Sequence, residues 1–172
     1  MNQDLKKEKS AKEAFSFIEK DIKKDSVIGI GTGTTTNFFI EELNKARLHI
    51  KGVVCSSDAS EKLIDSSYEV LSLNEVHSID FYIDGADEYN DRKELIKGGG
   101  GALTREKILA YSSDIFVCIV DESKYTDLLA SGGSKHHKEL LQPFNLDATD
   151  PSFWNNGISL ITGMIDDLEK IN

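Results

Sequence analysis

Val27-Ile28-Gly29-Ile30-Gly31-Thr32-Gly33-Thr34-Thr35-Thr36-Asn37 passes from a short apolar stretch through a turn rich in glycine and threonine into a helix expected to begin near Asn37. The pattern recurs along the chain. Apolar runs at 27–30, 50–55, 70–73, 81–83 and 115–120 are enriched in Val, Ile and Phe, and most lead through a polar or Gly-rich turn into helix-like sequence. Such alternation marks βα units building a parallel sheet, whose buried strands read as continuous apolar runs. The expected fold class is α/β: an open parallel, Rossmann-like sheet with flanking helices, plus a C-terminal helical tail. Right-handed crossovers put all the strand C-terminal ends on one edge, where open sheets bind ligands. Upstream, Ala11, Ala14, Phe15 and Ile18 fall at helical spacing in charged sequence, predicting an amphipathic first helix over 4–23.

The βα rhythm stops at Ser131-Gly132-Gly133-Ser134. Beyond it, 135–142 reads as a short helix behind Ser134 as N-cap. A second helix is expected from Asp150, with Pro151 at its first position and an apolar stripe of Trp154, Ile158, Ile161, Ile165 and Leu168. The expected organisation is an α/β domain over 1–129 and a helical tail over 130–172. A length of 172 residues with 39% apolar content suffices for one such domain with a small appendage.

A net charge of −10 argues against broad binding of a polyanion, which needs a basic face. One small phosphate is compatible with it, since a few backbone amides and one or two lysines suffice locally. The charged N-terminus has no apolar core of signal-peptide type, so the cytoplasm is the expected location. Cys55 and Cys118 lie inside apolar runs and are expected to be reduced, buried thiols, with no disulfide framework or metal site.

Five turns carry the chemistry. Gly31 to Thr36 converges backbone amides and hydroxyls on a helix N-terminus, a phosphate-cradling arrangement. It lacks the lysine of a Walker loop and the third glycine of a dinucleotide fingerprint, and a ligand-free tight turn remains the bland alternative. Ser56-Ser57-Asp58-Ala59-Ser60 offers hydroxyls that helix capping explains as well as ligand contact does. Asp84-Gly85-Ala86-Asp87-Glu88 sets three carboxylates after a strand, suited to acid/base work or sugar hydroxyls, with a divalent cation as the competing reading. Lys97-Gly98-Gly99-Gly100-Gly101-Ala102-Leu103-Thr104-Arg105-Glu106-Lys107 is the most specific. Four glycines carry a heavy entropic cost, and a helix pattern starts directly after them, so a flexible linker is the weaker reading. They let backbone pass close to a ligand while Lys97 and Glu106 approach one site. Asp121-Glu122-Ser123-Lys124 follows the last strand and directs Lys124 to the same edge, although a surface lysine is the commoner role.

In order, Gly31 to Thr35, Asp84 to Glu88, Lys97 to Lys107 and Val120-Asp121-Glu122-Ser123-Lys124 resemble the A-type ribose-5-phosphate isomerase family over roughly residues 1–128. The resemblance implies interconversion of ribose 5-phosphate and ribulose 5-phosphate in the pentose phosphate pathway, with no metal and no organic cofactor. It implies Glu106 as the base that shuttles a proton between C1 and C2 through an enediolate. Asp84 would assist ring opening, Asp87 would hold sugar hydroxyls, and Lys97 would stabilise the enediolate oxygen. Thr32, Gly33, Thr34, Thr35 and Lys124 would hold the phosphate, with Lys6 or Lys7 assisting. Proton abstraction beside a carbonyl also needs a donor aimed at the developing oxyanion, for which the amides of Gly99, Gly100 and Gly101 are additional candidates. A phosphopentose partner, a homo-oligomer, and no nucleic acid or membrane complete the expectation.

The tail departs from that family and resembles the helical C-terminal end of an oligoendopeptidase F-type metallopeptidase, in Ser131-Gly132-Gly133-Ser134 and Asp150-Pro151-Ser152-Phe153-Trp154. No His-Glu-x-x-His occurs, so peptidase activity is not expected, and His136 and His137 read as exposed helix residues. The family's small C-terminal domain is expected to be missing, with slowed turnover as the consequence. The rival readings are a catalytically impaired phosphosugar-binding domain and a chimeric chain.

Overall fold

The computed structural model describes residues 2–129, so the helices expected at 135–142 and from Asp150 onward lie outside the described residues. In chain order the elements are α1 (Gln3–Glu19), β1 (Val27–Ile30), α2 (Thr34–Ala46), β2 (Gly52–Cys55), α3 (Asp58–Glu61), β3 (Ile79–Asp84), β4 (Glu88–Tyr89), β5 (Leu95–Ile96), α4 (Leu103–Tyr111) and β6 (Ser113–Cys118). Short 3-10 turns occur at Leu73–Glu75 and Glu122–Lys124. These elements fall into two compact units, one joining the described residues up to Gly85 with Thr104–Asp121, the other joining Ala86–Leu103 with the described residues from Glu122.

In the first unit β1, β2, β3 and β6 form a parallel sheet in the order β2-β1-β3-β6. β1 and β2 are buried at every position, which is why their sequences are apolar without alternation. Phe39, Ile40 and Leu43 of α2 and Ala11, Ala14, Phe15 and Ile18 of α1 close over Ile28, Ile30, Val53, Cys55, Phe81 and Ile83. Small Ala11 and Ala14 let α1 approach closely, and Phe15 meets Phe39 at 6.1 Å between ring centroids. Fully burying such a side chain is worth about 1.5–3 kcal/mol. α1 starts where Asn2 accepts a hydrogen bond from the Asp4 amide at 3.3 Å. It ends at Glu19, short of the expected residue 23, because turn hydrogen bonds from the Asp21 and Ile22 amides take over and Ser26 Oγ accepts from the Lys23 amide.

Three expectations need correction. The run at 70–73 contributes only a bridge between Val70 and Val53, because Ser72 and Glu75 form a capping box that turns Leu73 into a 3-10 helix. α2 begins at Thr34, one helical turn before Asn37. Cys55 is buried as expected, but Cys118 is only half-buried, since β6 is the last strand of the described sheet and buries just Phe116 fully.

The second unit contains an antiparallel pair, β4 with β5, which the apolar pattern did not reveal. Asn90 closes it. Its Oδ1 accepts from the amides of Arg92 and Glu94, and its Nδ2 donates to Glu94 Oε2 at 2.6 Å. Tyr125 packs edge-on against Tyr89 at 5.5 Å, while the Thr126 amide donates to the Tyr89 carbonyl.

Candidate functional site

β1 has β2 on one side and β3 on the other, so strand order reverses beside it, and a crevice opens at the strand C-termini of such a switch point. Gly31 and Asp84 meet there. The Gly31 amide donates to the Ile83 carbonyl at 2.8 Å, and a Cβ on residue 31 would overlap the Asp84 carboxyl group. Only glycine permits that approach.

Asp84 is fully buried and held through both oxygens. Oδ1 accepts from the amides of Thr32 at 3.2 Å and Gly85 at 2.7 Å, and Oδ2 accepts from the Tyr82 hydroxyl at 2.5 Å. Tyr82 stands two residues before Asp84 in β3, on the same face, with its ring stacked on Phe116 at 5.4 Å. Burial pushes the Tyr82 phenol far above its ordinary range, with the charge and hydrogen bond of Asp84 and the charge of Glu106 adding to the shift and the Ser56 hydroxyl opposing it. Glu106 and Leu109 are the buried positions of α4, one helical turn apart. Two buried carboxyl groups therefore act on one phenol. The neighbouring hydroxyls form a chain: Thr32 Oγ1 lies 2.7 Å from Ser56 Oγ and donates to Ser57 Oγ, and Ser60 Oγ donates to the Gly31 carbonyl at 2.6 Å.

α2 starts behind Gly33, whose φ is +130° and which leaves the helix without a side-chain cap. Thr34, Thr35 and Thr36 fill the first turn, where backbone amides have no helical acceptor. Thr36 Oγ1 is buried and meets no hydrogen-bond partner among the described residues. Orphan amides, a positive dipole end and an unsatisfied hydroxyl suit an anion. The start of α1 runs along the end of β6: Gln3 Nε2 donates to Asp121 Oδ2 at 3.5 Å and Ser10 Oγ to the Val120 carbonyl at 3.0 Å. Lys6 and Lys7 belong to these turns, and Lys7 lies 3.9 Å from Asp4.

In the second unit, Asp87 Oδ2 accepts from the Gly99 amide at 2.8 Å, while the Asp87 amide donates to Ile96 O at 2.7 Å. The tetraglycine is a turn, closed from the Gly101 amide to the Gly98 carbonyl, with φ of +100° at Gly98 and +77° at Gly101. It is ordered backbone that L side chains rarely adopt, which a linker has no need of. Lys97 is buried, Gly100 is exposed, and Lys124 sits half-buried at the end of its 3-10 turn.

Of the residues singled out from sequence, Thr32, Gly33, Thr34, Thr35, Asp84 and Glu106 thus lie in the first unit; Asp87, Lys97, Gly99, Gly100 and Lys124 lie in the second. Thr32 and Asp84 are bonded directly, as are Asp87 and Gly99. Among the described residues no three of His, Cys, Asp and Glu converge as a group that could hold a metal ion. Nor is any described helix long and apolar enough to cross a membrane. Sequence reasoning missed Tyr82, although its place two residues before Asp84 in a strand was a usable signal.

The model of the family described as ribose 5-phosphate isomerase A (phosphoriboisomerase A) matches residues 51–134. The ribose-5-phosphate isomerase A of Mannheimia succiniciproducens is 51% identical over 132 residues, covering 76% of this chain and 58% of the relative. That of Legionella pneumophila (strain Corby) is 38% identical over 190 residues, covering 92% of this chain and 86% of the relative. Among solved structures, ribose 5-phosphate isomerase A from Neisseria gonorrhoeae matches with a TM-score of 0.68 at 49% identity, covering 74% of this chain and 56% of that one. A D-ribose-5-phosphate isomerase in complex with phospho-erythronic acid gives 0.67 at 37% identity, covering 84% and 68%. The chain spans about half the length of several curated relatives it matches. None of these matches supports a metallopeptidase likeness of the tail. The Legionella alignment takes in more of this chain than residues 1–129 can supply, so the family likeness extends past residue 128, where it was expected to stop.

Proposed function

Because the chain belongs to the ribose-5-phosphate isomerase A family, we propose that it interconverts ribose 5-phosphate and ribulose 5-phosphate by proton transfer through an enediolate. The observation that carries this reading is the pair of buried carboxyl groups, Asp84 and Glu106, acting on the same phenol beside the switch point of the sheet.

Ring opening moves the C1 hydroxyl proton to an acceptor as the C1 carbonyl forms; the bond from C1 to the ring oxygen breaks, and that oxygen takes up a proton to become the C4 hydroxyl. Asp84, oriented by three donors, is the acceptor in this reading. Glu106 then removes the C2 proton, the electron pair forms the C1–C2 double bond, and charge settles on O1. A proton passes from O2 to O1, and Glu106 returns its proton to C1. A carboxylate in reach of carbon is what this chemistry needs, together with donors for the developing oxyanion.

The phosphate belongs at the start of α2, where uncapped amides and the unsatisfied Thr36 hydroxyl favour it. For Lys97 as counter-charge to the enediolate, Asp87, Gly99 and Gly100 at the sugar, and Lys124 at the phosphate, support comes from the family motifs and from the ordered turn that joins Asp87 to Gly99. The solved relative's phospho-erythronic acid supports the substrate class, since a phosphorylated polyol ending in a planar carboxylate has the shape and charge of an enediolate. A charged sugar phosphate does not cross a bilayer unaided, which favours a cytoplasmic setting. Self-association is part of the proposal on the resemblance alone, and a boundary near 129 on the change of sequence pattern at Ser131-Gly132-Gly133-Ser134.

The test is a coupled isomerase assay of the chain beside Glu106→Gln, with phospho-erythronic acid binding measured by calorimetry. A loss of about 10²–10⁴-fold with binding retained is expected for removal of a general base. A Glu106→Gln chain as fast as its parent would refute it, and binding without turnover in either would favour a phosphosugar-binding domain.

A further inference from the structure

Thr32 stands between two glycines, and side chains of α3 close a circuit around it. Thr32 Oγ1 donates to Ser57 Oγ at 2.9 Å, Ser57 Oγ lies 3.2 Å from Ser60 Oγ, and Ser60 Oγ donates to the Gly31 carbonyl at 2.6 Å. Each hydroxyl has a single proton, so the bonds run one way, from Thr32 through Ser57 and Ser60 back to Gly31. Bonds in such a chain strengthen one another, and cutting one loosens the rest. Ser60 is 2% exposed, so it acts on backbone and not on a ligand.

The circuit bears on the amide that follows Thr32. Helical hydrogen bonding in α2 begins at the Gly33 carbonyl, which accepts from the Asn37 amide at 3.0 Å, so the peptide joining Thr32 to Gly33 lies ahead of the helix. Gly33 is exposed at a φ of +130°, and a Cβ there would meet nothing within 4 Å, so packing does not steady it. With glycine's torsional freedom on either side, the Gly33 amide takes its direction from how Thr32 is held.

We propose that Ser60, together with Ser57, is a positioning residue for phosphate: the circuit holds Thr32 so that the Gly33 amide faces the anion at the start of α2. This rests on the reading that the substrate's phosphate binds there. Asp84 keeps the Gly85 amide and the Tyr82 hydroxyl whether or not α3 braces the loop, so the brace governs affinity and not the chemical step.

The experiment reads ribose 5-phosphate turnover and the Kd of inorganic phosphate from a phosphorus NMR titration, well below the Tm of each variant. In Ser60→Ala the loop is held for a smaller fraction of the time, and apparent affinity falls in proportion. KM and the phosphate Kd rise together by about three- to tenfold, the size of one weakened hydrogen bond. The kcat stays within about twofold, because phosphate is gripped equally in the ground and transition states. Ser57→Ala, at a half-buried position, shows the same paired rise and carries the test should Ser60→Ala fail to fold. Ser57→Thr, which restores a hydroxyl, returns both constants to within about twofold of the parent. A lowered Tm with both constants unchanged, a rise in KM without one in the phosphate Kd, a loss confined to kcat, or Ser57→Thr as weak as Ser57→Ala would each overturn the role. A parent chain that binds no phosphate would sink the underlying reading instead, which separates the two failures.

Discussion

Gly31→Ala is the substitution on which the geometry bears most sharply. The added methyl would coincide with the Asp84 carboxyl group, and the φ of residue 31 is not in the left-handed region, so the penalty is steric alone. Two reliefs compete. Turning Asp84 aside surrenders donors from Thr32, Gly85 and Tyr82, each worth about 1.5–3 kcal/mol to a charged group. Shifting backbone to make room costs about 1–3 kcal/mol, the usual range for overpacking a dense interior. The shift is cheaper and wins, so a loss of about 2–3 kcal/mol is expected, equivalent to a fall in Tm of roughly 5–10 °C for a chain of this size. Because Asp84 then sits displaced, turnover falls by about 10²-fold, as misplacement by an ångström does. Gly100→Ala is the control: a Cβ there meets nothing within 4 Å and the φ is unremarkable, so stability stays within about 0.5 kcal/mol. Differential scanning calorimetry with the coupled assay reads both. A Gly31→Ala chain melting and turning over like its parent would show that the Gly31–Asp84 contact is not the tight junction described.

Gly98→Ala, at a φ of +100° with Leu103 close by, should cost about 1–3 kcal/mol in urea unfolding, and equal stability to the parent would contradict the ordered turn. Tyr68→Phe removes a hydroxyl that donates to Leu43 O at 2.7 Å and accepts from the Leu48 amide at 2.8 Å; leaving both orphaned should cost about 1–3 kcal/mol in the same assay. Burial, then the charge of Glu61, raise the Cys55 thiol from 9.0 to about 12 while Arg105 opposes them. The fold thus favours the neutral thiol, so its contribution is complete below pH 9 and is lost as pH climbs toward 12. Cys55→Ala should flatten that part of the stability profile, and Cys55 should resist an aromatic disulfide reagent at pH 8 until the chain unfolds.

The sheet was legible because β1 and β2 are buried on both faces and so carry no polar interruption. Where local polar chemistry outbids an apolar run, the reading failed: Ser72 and Glu75 satisfy each other across the end of 70–73, and the chain turns instead of pairing. The β4–β5 pair escaped because strands of two residues show no period, although Asn90-Asp91 between them was a turn signal. Starting α2 at Thr34 moved three threonines from the loop into the first helical turn, a one-turn error that side-chain capping rules could not detect behind an uncapped glycine. The candidate residues came from motif order; the close approach of Asp84 to Gly31 and the bonds to Tyr82 and Gly99 join residues far apart in sequence or without a motif of their own.

The sharpest trial of the enediolate account is isotopic. The chain, incubated in deuterium oxide with ribulose 5-phosphate, should place deuterium at C1 as seen by proton NMR, and Glu106→Gln should stop that exchange while still binding phospho-erythronic acid. Exchange or conversion undiminished in Glu106→Gln would contradict it.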